Sequence, residues 1–310
     1  MGTFNGTREA FVQAITDLSA VHEDVVFISS DSLKAMRAVP YAERFPKKYI
    51  EVGIAEQGAV ATAAGMAASG HTPFVGTYGG FLTMRACEQM RTFVAYPNLN
   101  VKFVGINGGL VGGEREGVTH QFYEELSILS AIPNFKLFVP ADGAQTYHAV
   151  KLAYETPGPV FIRAGSGKEP DVYDMDKPFN PDGVSVLRDY GTDAVLFANG
   201  FILDNVLKAA DHLQEQGTRV TVADVNILYA NESSKIVSLL QSSKRVFTIE
   251  DHNVNGGLGS YICHLACQYH PIHVERIGMR TFGESGMPDV LVDHYGLSTR
   301  AIIEQVRQTS

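Results

Sequence analysis

The sequence predicts an α/β protein built from two open, doubly wound units, and three observations carry that prediction. Short apolar runs rich in Val, Ile, Phe and Tyr alternate with helix-length stretches, the pattern of strands buried on both faces of a mainly parallel sheet. The alternation occurs twice, and between the two halves residues 166–185 (SGKEPDVYDMDKPFNPDGVS) are rich in Pro, Asp and Gly with no sustained period. A length of 310 residues suits two ordinary domains, each with a sizeable core.

In chain order, the first unit is expected to place strands at VVFISS (25–30), YIEVGI (49–54), TPFVGTY (72–78), VKFVGIN (101–107), FKLFVP (135–140) and PVFIR (159–163). YIEVGI should be buried on both faces. It leads into a helix made almost wholly of Ala, Gly, Val and Met (AEQGAVATAAGMAASG, 55–70), whose small side chains permit very close packing. The second unit repeats the pattern on a smaller scale with AVLFANG (194–200), RVTVADVN (219–226), RVFTIEDH (245–252) and PIHVERIGM (271–279), and ends in a helix from about 298. The expected division is a first domain over 1–165, a linker over 166–185 and a second domain over 186–310.

Composition narrows the function classes. No apolar run reaches the roughly 18 residues that a membrane span requires. The start, MGTFNGTREA, has neither a basic-then-apolar signal nor the Ser or Thr of a myristoylation motif, because Gly6 stands there. Three cysteines fit a reducing compartment, so the cytoplasm is expected. A formal charge of −9 without a dense Lys/Arg cluster speaks against nucleic acid and anionic membranes as partners. An anionic small molecule would have to be held by a few placed cations.

Glu56 is the residue that raises a question. A carboxylate between a buried strand and a small-residue helix is expensive unless it is partnered, yet it can also be a helix-start carboxylate favoured by the macrodipole. The segment around it, VGIAEQGAVATAAGMAASG, is similar to the pyrimidine-binding segment of thiamine-diphosphate enzymes of the transketolase type. Further similarities follow in order: GTREAF (6–11), TYGGFLTMRACEQMR (77–91), EGVTHQ (116–121), IPNFKLFVPAD (132–142), GPVFIRAG (158–165), EDHNVNGGLGS (250–260) and the closing HYGLSTRAI. The resemblance implies a thiamine-diphosphate pyrimidine-binding domain followed by a smaller transketolase-type C-terminal domain. It also implies that Glu56 hydrogen-bonds the ring nitrogen of the cofactor's aminopyrimidine and so assists removal of the thiazolium proton.

The same resemblance assigns further residues. Tyr78 and Phe81 fall where the family sets aromatic faces against the pyrimidine, although without it both read as ordinary core. Asp31, at a strand C-terminus, matches an acidic residue near the cofactor; a turn or cap role competes. His120 in GVTHQ matches the histidine that contacts the donor's oxygens and can shuttle protons. Arg8 and Arg163 occupy positions of arginines that grip the far end of phosphorylated sugars, and each can instead be a structural ion pair. Cys263 and Cys267 read as core, since their spacing with the neighbouring histidines lacks the paired ligands of a zinc site. GGLGS (256–260) lacks the full dinucleotide fingerprint, so no nicotinamide cofactor is expected.

Two departures from the family pattern shape the expectation. The family holds the diphosphate through a metal bound by a Gly-Asp-Gly stretch with Asn about 25 to 30 residues later. Here the nearest string is ADG (141–143), in a different place. The resemblance therefore implies the C-terminal half of a split enzyme. An N-terminal transketolase-like subunit would carry the diphosphate and its Mg2+ or Ca2+, in a heterotetramer with two copies of each chain. Second, Asn107 stands about where the family has a donor-contacting histidine, and GEREG (113–117) is a lengthened loop carrying Arg115. Both changes lie at the sugar end, so transfer of a two-carbon ketol unit from a ketose to an aldehyde is expected, with a donor or acceptor other than the usual pentose phosphates. A 2-oxoacid dehydrogenase β component, a deoxyxylulose-phosphate-synthase-like component and a noncatalytic assembly subunit of the same fold are the competing readings.

Overall fold

The computed structural model describes residues 4–113, 115–167, 169–229 and 233–308; Glu114 of the expected loop and Lys168 of the expected linker lie outside them. The chain divides into two compact units. One runs to Gly108 and resumes over Ile128–Phe179; the other comprises Gly109–Ser127 and the chain from Asn180 onward.

The first unit is built from α1 (Thr7–Val21), β1 (Val25–Ser29), α2 (Val39–Arg44), β2 (Tyr49–Glu51), α3 (Glu56–Ala68) and β3 (Thr72–Tyr78). A helical stretch follows in which two π-type segments, Phe81–Arg85 and Met90–Ala95, flank one α-turn, α4 (Cys87–Gln89). After β4 (Lys102–Ile106) and α5 (Glu125–Ser130), whose residues up to Ser127 fall in the other unit, come β5 (Lys136–Phe138), α6 (Gly143–Glu155) and β6 (Val160–Arg163). The six strands of this unit lie in the order β5-β6-β4-β3-β1-β2, and every pair is parallel.

β1 and β4 are buried at every position, which is why they read as unbroken apolar runs. Phe27 of β1 sits edge-on to Phe11 of α1 at 5.5 Å and to Tyr41 of α2 at 5.6 Å, and all three are fully buried. Each such ring removed from water stabilises the fold by about 1.5–3 kcal/mol before entropy is counted. At the start of β4 the Lys102 ammonium is fully buried and donates to Asn100 Oδ1 (2.5 Å), Thr156 O (2.5 Å) and Gly158 O (2.8 Å).

The second unit holds β7 (Ser185–Asp189), β8 (Ala194–Ala198), α7 (Leu203–Glu215), β9 (Val220–Asp224) and the two-residue β10 (Ile227–Leu228). It continues with α8 (Ser234–Ser242), β11 (Val246–Asn253), α9 (Leu258–Tyr269), β12 (Val274–Met279), α10 (Pro288–His294) and α11 (Thr299–Gln308). Its five-stranded sheet runs β12-β11-β8-β9-β7, parallel except for β7, which pairs antiparallel with β9 at the edge. The glycines of GGLGS make room for a buried carboxylate. Glu250 of β11 accepts the backbone N–H of Leu258 (2.7 Å) and Gly259 (2.8 Å), satisfying the first turn of α9, and a Cβ at Gly257 would collide with Glu250 Oε2.

Three expectations are corrected. YIEVGI is not a strand buried on both faces: β2 is a three-residue edge strand, half-buried at best, and Ile54 is 74% exposed. Helix α3 packs closely only along Ala59, Val60, Ala63 and Ala64, while Gln57, Gly58, Ala61, Thr62 and Gly65 face outward. The Pro/Asp/Gly stretch is not a free linker over its first part. Val172 and Tyr173 donate their N–H groups to the buried Asp142 carboxylate, both at 2.7 Å, and Phe179 packs on Phe138 at 5.2 Å. Residues 109–127 group with the second unit because Gly283 N–H donates to Tyr123 Oη, Gln121 Nε2 donates to Glu284 O, and Asn253 N–H donates to Tyr123 O.

Candidate active site

Because all six strands of the first unit run the same way, their C-terminal ends share one edge, where open α/β sheets place ligands. Following the sheet order, β6 ends at Arg163, β4 runs out into Asn107, β3 ends at Tyr78, β1 leads to Asp31, and β2 ends at Glu51 just before Glu56 opens α3. Neighbouring strands are about 4.8 Å apart, so these residues span the edge within a few strand widths. Asp31 and Asn107 both adopt left-handed backbone, at φ 50° and 61°. Asp and Asn tolerate that region better than most residues, which lets the chain turn sharply as it leaves each strand.

Three of the residues expected at the cofactor end, Glu56, Tyr78 and Phe81, are connected through Arg85. Glu56 is 4% exposed although its neighbours Ala55, Gln57 and Gly58 are open to solvent. Its Oε1 accepts from Arg85 Nη1 at 2.8 Å, which supplies the partner that a buried carboxylate requires. The Arg85 guanidinium lies over the Phe81 ring at 4.1 Å, and Phe81 meets Tyr78 with ring centroids 5.4 Å apart, tilted by 57°. An open depression beside the cluster is lined by Ile54, Ala55, Glu56, Gln57, Gly58 and Arg85. A carboxylate acceptor linked through one guanidinium to two aromatic rings suits a heteroaromatic ring that bears a hydrogen-bonding nitrogen.

Asp31 itself is exposed, and its backbone N–H donates to Glu51 Oε1 at 2.7 Å. Glu51 also accepts from Gly53 N–H (2.8 Å) and Tyr49 Oη (2.6 Å), so it ties the ends of β1 and β2 together. Burial pushes the Glu51 carboxyl up, but the hydrogen bonds from Tyr49, Asp31 and Gly53 outweigh that and leave its pKa below the usual value.

At the other end of the edge, Arg8 bonds Asn107, and Arg163 lies against the neighbouring Gly108. Arg8 donates to Ala35 O at 2.9 Å, to Gly165 O at 3.4 Å and to the Asn107 side-chain oxygen. Arg163, 4% exposed, runs beside Gly108, where a Cβ would come within 2.7 Å of its Cγ. Only glycine lets the backbone after Asn107 pass that side chain. Arg8 thus braces the strand ends and orients Asn107.

His120 belongs to the second unit, half-buried, with its Nδ1 2.9 Å from Thr119 Oγ1. The loop that carries it folds back on itself: Gly117 N–H donates to Gly113 O and His120 N–H to Gly117 O, both at 2.9 Å. A Cβ at Gly113 would collide with the His120 carbonyl. Arg115 is exposed on this loop. Sequence reasoning missed Arg85 and Glu51. The available signal for Arg85 was a cation four residues after Phe81 in a largely apolar helical stretch, with a buried carboxylate nearby in need of a partner. Among the described residues, no group of three or more His, Cys, Asp or Glu is arranged to hold a metal ion.

Known families match this chain twice, in order: the transketolase pyrimidine-binding domain over residues 5–168 and the transketolase C-terminal domain over residues 182–302. The chain belongs to the transketolase family. A putative transketolase C-terminal section from Methanocaldococcus jannaschii is 30% identical over 311 residues, spanning 99% of this chain and 97% of that protein. A subunit of the apulose-4-phosphate transketolase of Phocaeicola vulgatus is 31% identical over 297 residues, 95% of this chain and 94% of that one. A solved split-gene transketolase, described as an inactive β4 tetramer, matches with a TM-score of 0.88 at 34% identity over 98% of this chain and 97% of its own. This transketolase-family chain thus has the length and domain pair of relatives that are named as sections or subunits.

Proposed function

We propose that this chain is the pyrimidine-binding subunit of a split transketolase, a transferase that moves a two-carbon ketol unit from a phosphorylated ketose to an aldehyde. It acts together with an N-terminal subunit that holds the diphosphate and its Mg2+ or Ca2+, in a two-plus-two heterotetramer. The observation that carries the reading is the buried Glu56 linked through Arg85 to the Tyr78–Phe81 pair, an acceptor and two aromatic rings that fit an aminopyrimidine. Thiamine diphosphate, when bound, supplies a carbon nucleophile and an electron sink for cleaving the bond next to a ketose carbonyl.

The chain's own residues bind, orient and move protons. Glu56 accepts the hydrogen bond of the pyrimidine ring nitrogen and stabilises its protonated form, while Tyr78 and Phe81 offer flat faces to the ring. Asp31 borders the same strand edge. Arg163, with Arg8 and Asn107 beside it, supplies cations and an amide for the sugar's phosphate end, and His120 contacts the donor's oxygens and exchanges protons with them. In an acidic chain, two guanidiniums near one strand edge would dominate anion capture. The partner requirement is supported by the match to a split-gene relative described as inactive as a β4 tetramer. Asn107 and Arg115 at the sugar end, together with a relative named for apulose 4-phosphate, support a donor other than the usual pentose phosphates.

Replacing Glu56 with Gln tests this reading. In the complex of both subunits, ketol transfer should fall by about a thousandfold or more, while the melting temperature stays within a few degrees because the relieved Arg85 can turn to water. Unchanged turnover would support a noncatalytic subunit instead. The same assay over a panel of ketose phosphates reads the donor, and xylulose 5-phosphate as by far the best donor would contradict the proposed shift in specificity.

A further inference from the structure

Arg85 makes two contacts at once that fall on two different parts of the proposed pyrimidine site. Its Nη1 donates to Glu56 Oε1 at 2.8 Å, and its guanidinium carbon lies 4.1 Å from the centre of the Phe81 ring. The Glu56 side chain is 4% exposed and the Arg85 side chain 48%, so the cation reaches in from the surface to the buried acid. Phe81 and Arg85 open and close one π-type turn, a wide helical geometry that recurs at functional sites. Glu56 is the first residue of α3, where backbone N–H groups favour a negative charge but fix neither its rotamer nor the direction of its second oxygen.

Resting on the functional reading above, we propose that Arg85 is a positioning residue: it holds Glu56 by one carboxylate oxygen and clamps Phe81 by its face, so the acceptor and the aromatic wall stay in fixed register for the cofactor ring. A planar guanidinium can donate in its plane and stack through its face at the same time. A lysine ammonium can replace the charge at Glu56 but not the flat stacking on Phe81. Arg85 acts through Glu56 and Phe81 and performs no chemical step of its own.

The test is calorimetric titration of thiamine diphosphate with magnesium into the two-subunit complex carrying the wild-type chain, Arg85→Gln, Arg85→Lys, Glu56→Gln or the Arg85→Gln/Glu56→Gln pair. Arg85→Gln should weaken binding roughly tenfold, the scale of losing a charge-assisted bond to a buried group from a half-exposed partner. Arg85→Lys should recover part of the loss. In the Glu56→Gln background, Arg85→Gln should cost less than about threefold, because the carboxylate it holds is gone. Melting curves within a few degrees of wild type establish that the variants fold. Equal losses in both backgrounds, or no loss from Arg85→Gln, would overturn the positioning role while leaving the functional reading intact. Tighter binding by Arg85→Gln would also overturn it, since Arg85 would then compete with the cofactor. Failure of the wild-type complex to bind the cofactor would overturn both.

Discussion

Lys102 illustrates how a single buried charge leaves a pH signature on the whole fold. Burial pulls its pKa down to about 7, with the nearby Lys136 acting in the same direction. The three oxygen acceptors match the three N–H bonds of the ammonium form, so protonation is accommodated, but at a cost relative to the unfolded chain. The folded pKa lies below the ordinary lysine value of 10.5. This group's contribution to stability is therefore fully present above about pH 10.5 and is lost as pH falls toward 7. Relative to Lys102→Met, the wild-type chain should gain about 2–4 kcal/mol of unfolding free energy between pH 7 and 10, read by denaturant titration at each pH. A difference between the two proteins that stays constant over that window would mean that Lys102 remains charged throughout.

At the scale of elements, Asp142 joins helix α6 to the stretch after β6. Its Oδ1 caps α6 by accepting Gln145 N–H at 2.8 Å, and its Oδ2 accepts the N–H groups of Val172 and Tyr173. Burial pushes its pKa up, and the three N–H donors pull it back only in part. Asp142→Ala should destabilise the protein by about 2–4 kcal/mol, the sum of a lost cap and two buried donors left unpaired, and should expose residues 166–175 to limited proteolysis. A variant as stable and as protease-resistant as wild type would show that these bonds do not hold the segment. The strands buried on both faces, such as β1, β4 and β8, were legible because burial selects continuous apolar runs. β7 was not: it is an antiparallel edge strand whose SVLRD is half-buried or exposed at every position, so no apolar run marks it. β2 ends three residues earlier than expected for the same reason, since edge position leaves Val52 to Ile54 with little to pack against. Glu56, Tyr78 and Phe81 were singled out by the family-like string that carries them, and their roles rest on the proposal above. The Glu56–Arg85 bond could not be read from that string, because it joins positions 29 apart in sequence through packing of α3 on the helical stretch after β3.

At the scale of the whole molecule, the proposed site would supply one half of a catalytic apparatus. On the proposal above, Glu56, Tyr78 and Phe81 of the first unit would meet the cofactor ring and Arg8, Asn107 and Arg163 of the same unit the sugar, while His120 belongs to the second unit. Three or more clustered metal ligands do not occur among the described residues. The central proposal is that an N-terminal subunit holds diphosphate and metal in trans, a reading that the relatives named as sections or subunits support. The most direct measurement is calorimetric titration of thiamine diphosphate with magnesium into this chain alone and into its mixture with a diphosphate-binding transketolase subunit. Tight binding in the mixture only is the predicted result. Tight binding to this chain alone, or none in either case, would contradict the account.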